Sequence, residues 1–426
     1  MNKTYILLLF AFYVSLLAAQ GSNNSTKFPG DQTEYEAERD SVVHPGKDVT
    51  EDQPERETDR DSVVNTGNRP ARDPIQFRYS GQLSGWGQFT PDIPTKGWLG
   101  GRYIPQINLT QPLENNQLID LEASVNLFGD IGIRSFDNTS TDATIKPYRA
   151  WARYASTRAE VRLGLQKINF GSAQMFRPLM WFDSMDPRDP LQLTDGVWGG
   201  LFRYYFPNNT TLWLWSLYGN DKNKGWEILP SSSSFPEMGG RVQIPIPKGE
   251  GALSYHFREA DASTYGLEKI AENRFGLDVR LDATVGLWFE SSWTHLNGDM
   301  GELTNQQMAT LGTDYTFGIG NGLGLTFEQF FYSYGERGID FNRSLNFSGL
   351  NLSYPLSMAD NLSAMVYYDW GNQRFYNFLN WQHQRNNVTF YLIGYWNPSE
   401  FGIPSQMGTG SRFAGKGIQL IIAWHH

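Results

Sequence analysis

The chain has 426 residues, no cysteine and a formal net charge of −10, and its mean hydropathy is −0.46. Lack of cysteine excludes disulfides, thiol catalysis and lipid attachment at a cysteine. Beyond the N-terminus no apolar run reaches the ~18 residues of a membrane-spanning helix, which excludes a helical membrane protein. The acidic balance, without any basic stripe, argues against a nucleic-acid partner.

Residues 1–20 read as a secretory signal peptide. Lys3 supplies the charged start, residues 5–17 the apolar stretch, and Ala18-Ala19-Gln20 the small residues for cleavage. The competing reading, an anchoring helix, is weakened by the short apolar run and the lack of basic residues beyond it. Residues 21–74 are acidic, with scattered Pro and Gly and almost no aromatics. Such a composition cannot bury enough apolar surface to offset the entropy of ordering, so it reads as a disordered arm. The arm repeats Arg39-Asp40-Ser41-Val42-Val43 as Arg60-Asp61-Ser62-Val63-Val64. Two copies are too few for a solenoid; they read as a duplicated linker or as a docking element for a periplasmic partner.

Residues 75–426 are different in kind. They hold about 18 short segments of alternating polarity, with 16 as the alternative count. The first spans 76–89. In 117–127, Ile119, Leu121, Ala123, Val125 and Leu127 share one face, with Asp120, Glu122, Ser124 and Asn126 on the other. In 158–165, Val161, Leu163 and Leu165 oppose Glu160, Arg162 and Gly164. In 197–206, Trp198, Phe202, Tyr204 and Phe206 oppose Arg203, and in 273–281 Arg274, Asp278 and Arg280 oppose Phe275, Leu277, Val279 and Leu281. Period two with charge on one face suits a closed antiparallel barrel with lipid outside and water inside. A buried soluble sheet could not hold those arginines without partners. The expected fold is therefore an all-β, up-and-down transmembrane barrel in the bacterial outer membrane, most simply a channel. Segments 211–218 and 341–354 are apolar on both faces, which points to cover by a loop or to a subunit contact, as in a homotrimer.

Short links fall at 112–116, 155–158, 207–208, 247–248, 282–283, 318–321, 355–360 and 384–386. Longer links are expected near Asp92, Asn138, Asp183, Asn223, Ala262, Gly298, Glu336 and Pro404, with a short exception at 370–373. Alternation of short and long links, with an even strand count, puts both ends of the barrel and the arm on the periplasmic side. The last segment, 417–424, carries Ile418, Leu420, Ile422 and Trp424 at alternate positions. This resembles the terminal-strand signal read by the barrel-assembly machinery. The chain ends on His426, so an imidazole takes the slot usually held by an aromatic ring.

The link at 170–196 is the most unusual. It is long, apolar in places and carries Pro178, Pro187 and Pro190. Long loops within a compact domain are commonly functional, and prolines stiffen its path. Its position as the third long loop resembles the general porins, whose third loop folds inward as a constriction. The preceding 163–171 stretch resembles a Gly-x-Gln strand motif of export and substrate-specific porins. The resemblance implies passive transport without specifying a solute. The loop's Arg177, Trp181, Asp183, Asp186, Arg188, Asp189 and Asp195 are candidate constriction residues. Arg149, Arg153 and Arg162, with Glu160 and Arg203, are candidate lumen-wall residues. An acidic loop across from a basic wall would set a transverse field that selects ions or small polar solutes. The same charges could instead pair and pin the loop. A calcium site at Asp183, Asp186 and Asp189 matches no standard ligand spacing, and no metal or cofactor is expected.

Most aromatics are assigned to interfacial girdles, with Trp181, Phe182 and Trp151 as an alternative sugar-stacking track. Selective passage of an organic solute such as an oligosaccharide is the second functional reading. An enzyme, specifically an outer-membrane lipid hydrolase, is the least supported. Of the histidines His44, His256, His295, His383, His425 and His426, none lies in a Gly-x-Ser-x-Gly or His-Glu-x-x-His motif.

Overall fold

A computed structural model describes residues 75–91, 96–135, 138–338, 343–399 and 413–426. The signal peptide, the acidic arm with its repeat, and the link centres near Asp92 and Pro404 lie outside the described residues. The first half of the barrel comprises β1 (Gln76–Thr90), β2 (Lys96–Leu113), β3 (Gln117–Ser135), β4 (Asn138–Ala155), β5 (Ala159–Gln166), β6 (Val197–Tyr205), β7 (Thr211–Leu217), β8 (Glu237–Ile246) and β9 (Gly249–Asp261). The second comprises β10 (Lys269–Asp282), β11 (Gly286–Leu296), β12 (Asn305–Phe317), β13 (Leu323–Gly335), β14 (Ser344–Pro355), β15 (Asp360–Asp369), β16 (Arg374–Arg385), β17 (Val388–Trp396) and β18 (Lys416–His425).

Each strand pairs antiparallel with its sequence neighbour, and β1 pairs with both β2 and β18, so the 18-stranded sheet closes on itself. Closure leaves no long unpaired edge, which is how a sheet satisfies its backbone in lipid. At the seam Leu83 faces Trp424 and Phe89 faces Ile418. His426 completes it: its backbone exchanges hydrogen bonds with Gly81 at 3.0 and 3.1 Å, and Tyr103 Oη lies 3.1 Å from its Nε2.

The alternation is observed as read. Ile119, Leu121 and Val125 are exposed outward, whereas Asp120, Ser124 and Asn126 are buried on the lumen side. Two local expectations are corrected. Leu165 is buried rather than outward, because Gly164 takes φ +119 and interrupts the pleat there; a side chain disfavours that backbone, so glycine is required. Where a long link near Asn138 is expected, β3 runs to Ser135 and β4 starts at Asn138, as strands of 19 and 18 residues. The links on the opposite rim are short throughout, the longest being 206–210 and 318–322.

Candidate functional site

Residues 167–196, between β5 and β6, turn into the barrel and cross to the far wall. Two wall carboxylates receive them. Glu328 on β13 accepts the backbone N–H groups of Gln174, Met175 and Phe176 at 2.6, 2.9 and 2.7 Å. It also accepts the Trp288 indole N–H at 3.1 Å. Glu290 on β11 accepts the N–H groups of Leu179 and Ala173 at 2.7 and 3.0 Å. Thr310 donates to the Phe176 carbonyl at 2.7 Å, and the Trp181 indole donates to Ser292 Oγ at 2.9 Å. A loop without internal sheet pairing must find partners for its backbone groups; here the wall side chains provide them.

Apolar packing supports the same path. Phe170, Leu179, Trp181 and Phe182 pack on Leu201, Trp213, Trp215 and Leu217 of β6 and β7. Met175 and Phe176 pack on Phe330, Phe347, Tyr367 and Tyr376 of β13 to β16, with the Phe176 and Phe330 rings stacked at 5.0 Å. Burial of each such ring contributes roughly 1.5–3 kcal/mol. The loop thus covers the two-sided apolar segment 211–218 and meets 341–354 at Phe347 and Gly349. The lumen is consequently asymmetric: β13 to β18 present an aromatic face, while β2 to β6 present charge. The expected girdle accounts for exposed rings such as Trp198, Trp293 and Trp396, but many other aromatics point inward, where period-two reading alone does not separate them from wall polar groups.

The predicted loop charges are brought together mostly with one another. Asp183 receives Arg177 at 2.7 Å, and both are buried. Asp186 receives Arg188 at 2.6 Å. Asp195 pairs with the wall, through Lys146 at 2.5 Å. Asp189 accepts the Leu191 N–H at 3.0 Å and has no ion-pair partner among the described residues. Burial, reinforced by nearby Asp186, pushes the Asp189 carboxyl up to about 6. Among the described residues no group of carboxylates and histidines is arranged to hold a metal ion. Trp181 is sealed in the loop core, 1% exposed.

On the wall, Arg153 pairs with Asp120 at 2.5 Å and with Glu160 at 3.7 Å, and Arg162 pairs with Glu160 at 3.1 Å. Arg162 also lies 4.8 Å from the Trp151 ring centroid. Arg149 is buried and donates to the Thr194 carbonyl at 3.1 Å, so it holds the loop's end. Arg203 is buried over the Trp213 ring at 3.8 Å.

A second inward segment, 218–236 between β7 and β8, escaped the sequence reading. Its Lys224 and Glu227 enter a buried cluster with Glu237, Arg258, Glu272 and Arg274: Lys224–Glu237 is 2.9 Å, Arg258–Glu272 2.7 Å and Arg274–Glu227 3.0 Å. Three cations face three carboxylates, which is the condition for burying them at all. Trp226 donates its indole N–H to the Arg177 carbonyl at 2.8 Å and stacks on Phe330 at 5.9 Å, so this segment braces the first loop. Gly225 allows the close approach: a Cβ there would lie 1.9 Å from the Met180 carbonyl oxygen. The available signal was the Lys224-Gly225-Trp226-Glu227 run within a long polar link. His256 sits fully buried beside this cluster. It accepts from the Trp215 indole through Nδ1 at 3.1 Å, which leaves Nε2 to donate to Glu237 at 3.2 Å.

A gap of about 290 Å³ lies between the loop's distal half and the wall of β1 to β4 and β18. The loop lines it with Asp186, Asp189 and Asp195; the wall contributes Trp86, Arg102, Asn126, Phe128, Lys146 and Tyr148.

No family model and no curated protein matches the sequence. Solved structures do match in shape. The chain is similar to the crystal structure of Acinetobacter baumannii OccAB2, with a TM-score of 0.53 at 9% identity over 82% of this chain and 98% of that one. It is similar also to Pseudomonas aeruginosa OccK5 (OpdH), with a TM-score of 0.51 at 12% identity over 82% of this chain and 98% of that one. At such identities the likeness concerns the path of the backbone, and on that measure the described chain has a porin-like fold, a closed β-barrel of 18 strands.

Proposed function

We propose that the protein is an outer-membrane channel through which ions or small polar solutes diffuse, past a constriction formed by 167–196. The observation that carries this reading is the clamp of Glu290 and Glu328 on the loop's backbone, which holds it inside the lumen. The charges divide into two roles. Arg177, Asp183, Asp186 and Arg188 stiffen the loop, and Asp186, Asp189 and Asp195 border that gap. Arg153, Glu160 and Arg162 form the charged wall that a polar solute passes, while Arg149 holds the loop's end at the Thr194 carbonyl and Arg203 lies over the Trp213 ring. The two-sided apolar segments are accounted for by the loop, so this reading requires no homotrimer.

In this orientation the short links and the arm are periplasmic, and the outward Ile418, Leu420, Ile422 and Trp424 meet lipid and the barrel-assembly machinery. His256, a histidine that the hydrolase reading could use, has its ring held between Trp215 and Glu237. The test is single-channel recording of the purified protein in a planar bilayer, beside a variant with Asp189→Asn and Asp195→Asn. Stable current steps with reduced cation preference in the variant are expected. No current from a folded, heat-modifiable barrel would overturn the channel reading.

A further inference from the structure

We propose that residues 139–145 of β4 are a docking edge for an added β-strand: an extended peptide of a partner protein that alternates apolar and polar residues and carries a lysine or arginine. The surface goes beyond the channel reading and does not depend on conduction.

The edge follows from the inward loop. β4 pairs with β5 only from Ala150 to Ala155, because β5 ends at Gln166 and the chain then turns into the lumen. Among the described residues no strand lies on that side of 139–145, which pair with β3 alone. In an antiparallel ladder, alternate residues turn their N–H and C=O groups away from the partner. Here those groups form an open row, and an open row is a template for another chain.

The stretch itself is not blunted. Thr139-Ser140-Thr141-Asp142-Ala143-Thr144-Ile145 contains neither Pro nor Lys, and its threonines and isoleucine favour extended chain. Every residue from 139 to 145 is exposed. Lys and Pro are the residues that usually protect an edge. They come only at its foot, as Pro147 and as Lys146, which Asp195 holds.

The two faces of the edge describe the partner. On the outer face Ile145 is 76% exposed, and Ile131 and Ile133 of β3 are exposed beside it. The outward apolar row of β3 runs from Ile119 to Ile133. That exceeds the roughly 9–11 residues a membrane strand needs, so its end calls for an apolar cover other than lipid. On the inner face Asp142 is exposed and stands directly across from Asp130. Like charges directly opposite are unfavourable, and a cationic residue on an added strand beside Asp142 would offset them. In the orientation proposed above, the partner reaches this edge from outside the cell.

The probe is a short synthetic peptide of alternating valine and threonine with a central lysine, labelled with a fluorophore and titrated onto the purified barrel in detergent. Saturable binding by fluorescence anisotropy is expected. The same peptide with its backbone nitrogens methylated should not bind. Glutamate in place of the lysine should weaken binding at least tenfold, and Asp142→Lys should reverse that preference. Ala143→Pro and Thr144→Pro remove N–H groups that point to opposite sides of β4. The one that removes an edge N–H should keep the heat-modifiable barrel and lose the peptide. No saturable binding to the native barrel, equal binding of the methylated peptide, or binding that survives both proline variants overturns the docking edge. Where a proline variant does not fold, the methylated peptide on the native barrel decides. A dimer of the barrel that Asp142→Lys dissociates would place a second copy on the edge and overturn the separate partner.

Discussion

The carboxylate of Glu328 accepts the backbone N–H of Phe176 at 2.7 Å, although the two residues are 152 positions apart in the chain. Phe176 in turn stacks on Phe330, two residues along the same strand as Glu328. One wall strand thus holds the loop both by its backbone and by its side chain.

Replacing that carboxylate should loosen the loop. Glu328→Gln keeps the shape but offers one acceptor oxygen where two had served three backbone N–H groups and the Trp288 indole. Each donor left unpaired in a buried place costs about 1–3 kcal/mol. A larger or noisier single-channel conductance is the expected outcome, with a lower unfolding temperature. Conductance and noise equal to the native protein would show that the loop is held by its apolar contacts alone.

The Arg177–Asp183 pair makes a separate prediction for stability. Both groups are buried, and removing one strands the other's charge. Asp183→Asn should therefore destabilise by about 3–5 kcal/mol, while a paired Arg177→Met, Asp183→Leu variant recovers much of that loss. A double-mutant cycle on denaturant unfolding of the purified barrel measures the coupling; additive single effects would count against a tight pair.

The raised Asp189 carboxyl predicts a pH effect. With its pKa pushed up to about 6, chiefly by burial, Asp189 is charged above that pH and neutral below it. Protonation removes one negative charge from the gap, so cation preference should fall as pH drops from 7 to 5. In Asp189→Asn the preference should start low and stay flat over that interval. Reversal potentials in a salt gradient across the pH series decide it. The stability sign is also determined: a carboxyl raised in the folded state favours folding in acid, and that contribution is lost as pH rises through about 6.

Trp226 links the two inward segments, so its loss should be felt in both. Trp226→Ala removes the indole bond to the Arg177 carbonyl and the stack on Phe330. Because Trp226 is only half-buried, the cost should fall below the ~3–5 kcal/mol of a core Trp→Ala change. Faster proteolytic cleavage within 218–236 while the barrel remains intact is expected; unchanged protection would mean the buried ion cluster suffices.

The sequence by itself determined the barrel, because its signals are local. Alternation such as Asp120, Leu121, Glu122 sets which face points outward within a few residues. Paired turn residues set where each strand ends, and Trp424 with its alternating neighbours marks the closing strand. The stiff, partly apolar stretch at 170–196 was also legible as the segment that enters the lumen. Tertiary structure alone decided what that segment meets there. Asp183 chose Arg177 six residues away over a wall arginine, because the loop buries both together. Glu290 and Glu328 looked like ordinary lumen carboxylates until the fold brought backbone N–H groups to them. The aromatic half of the lumen and the Lys224–Glu237 contact were hidden for the same reason. Period two tells inside from outside, but it does not tell a wall that faces water from one that faces a folded loop.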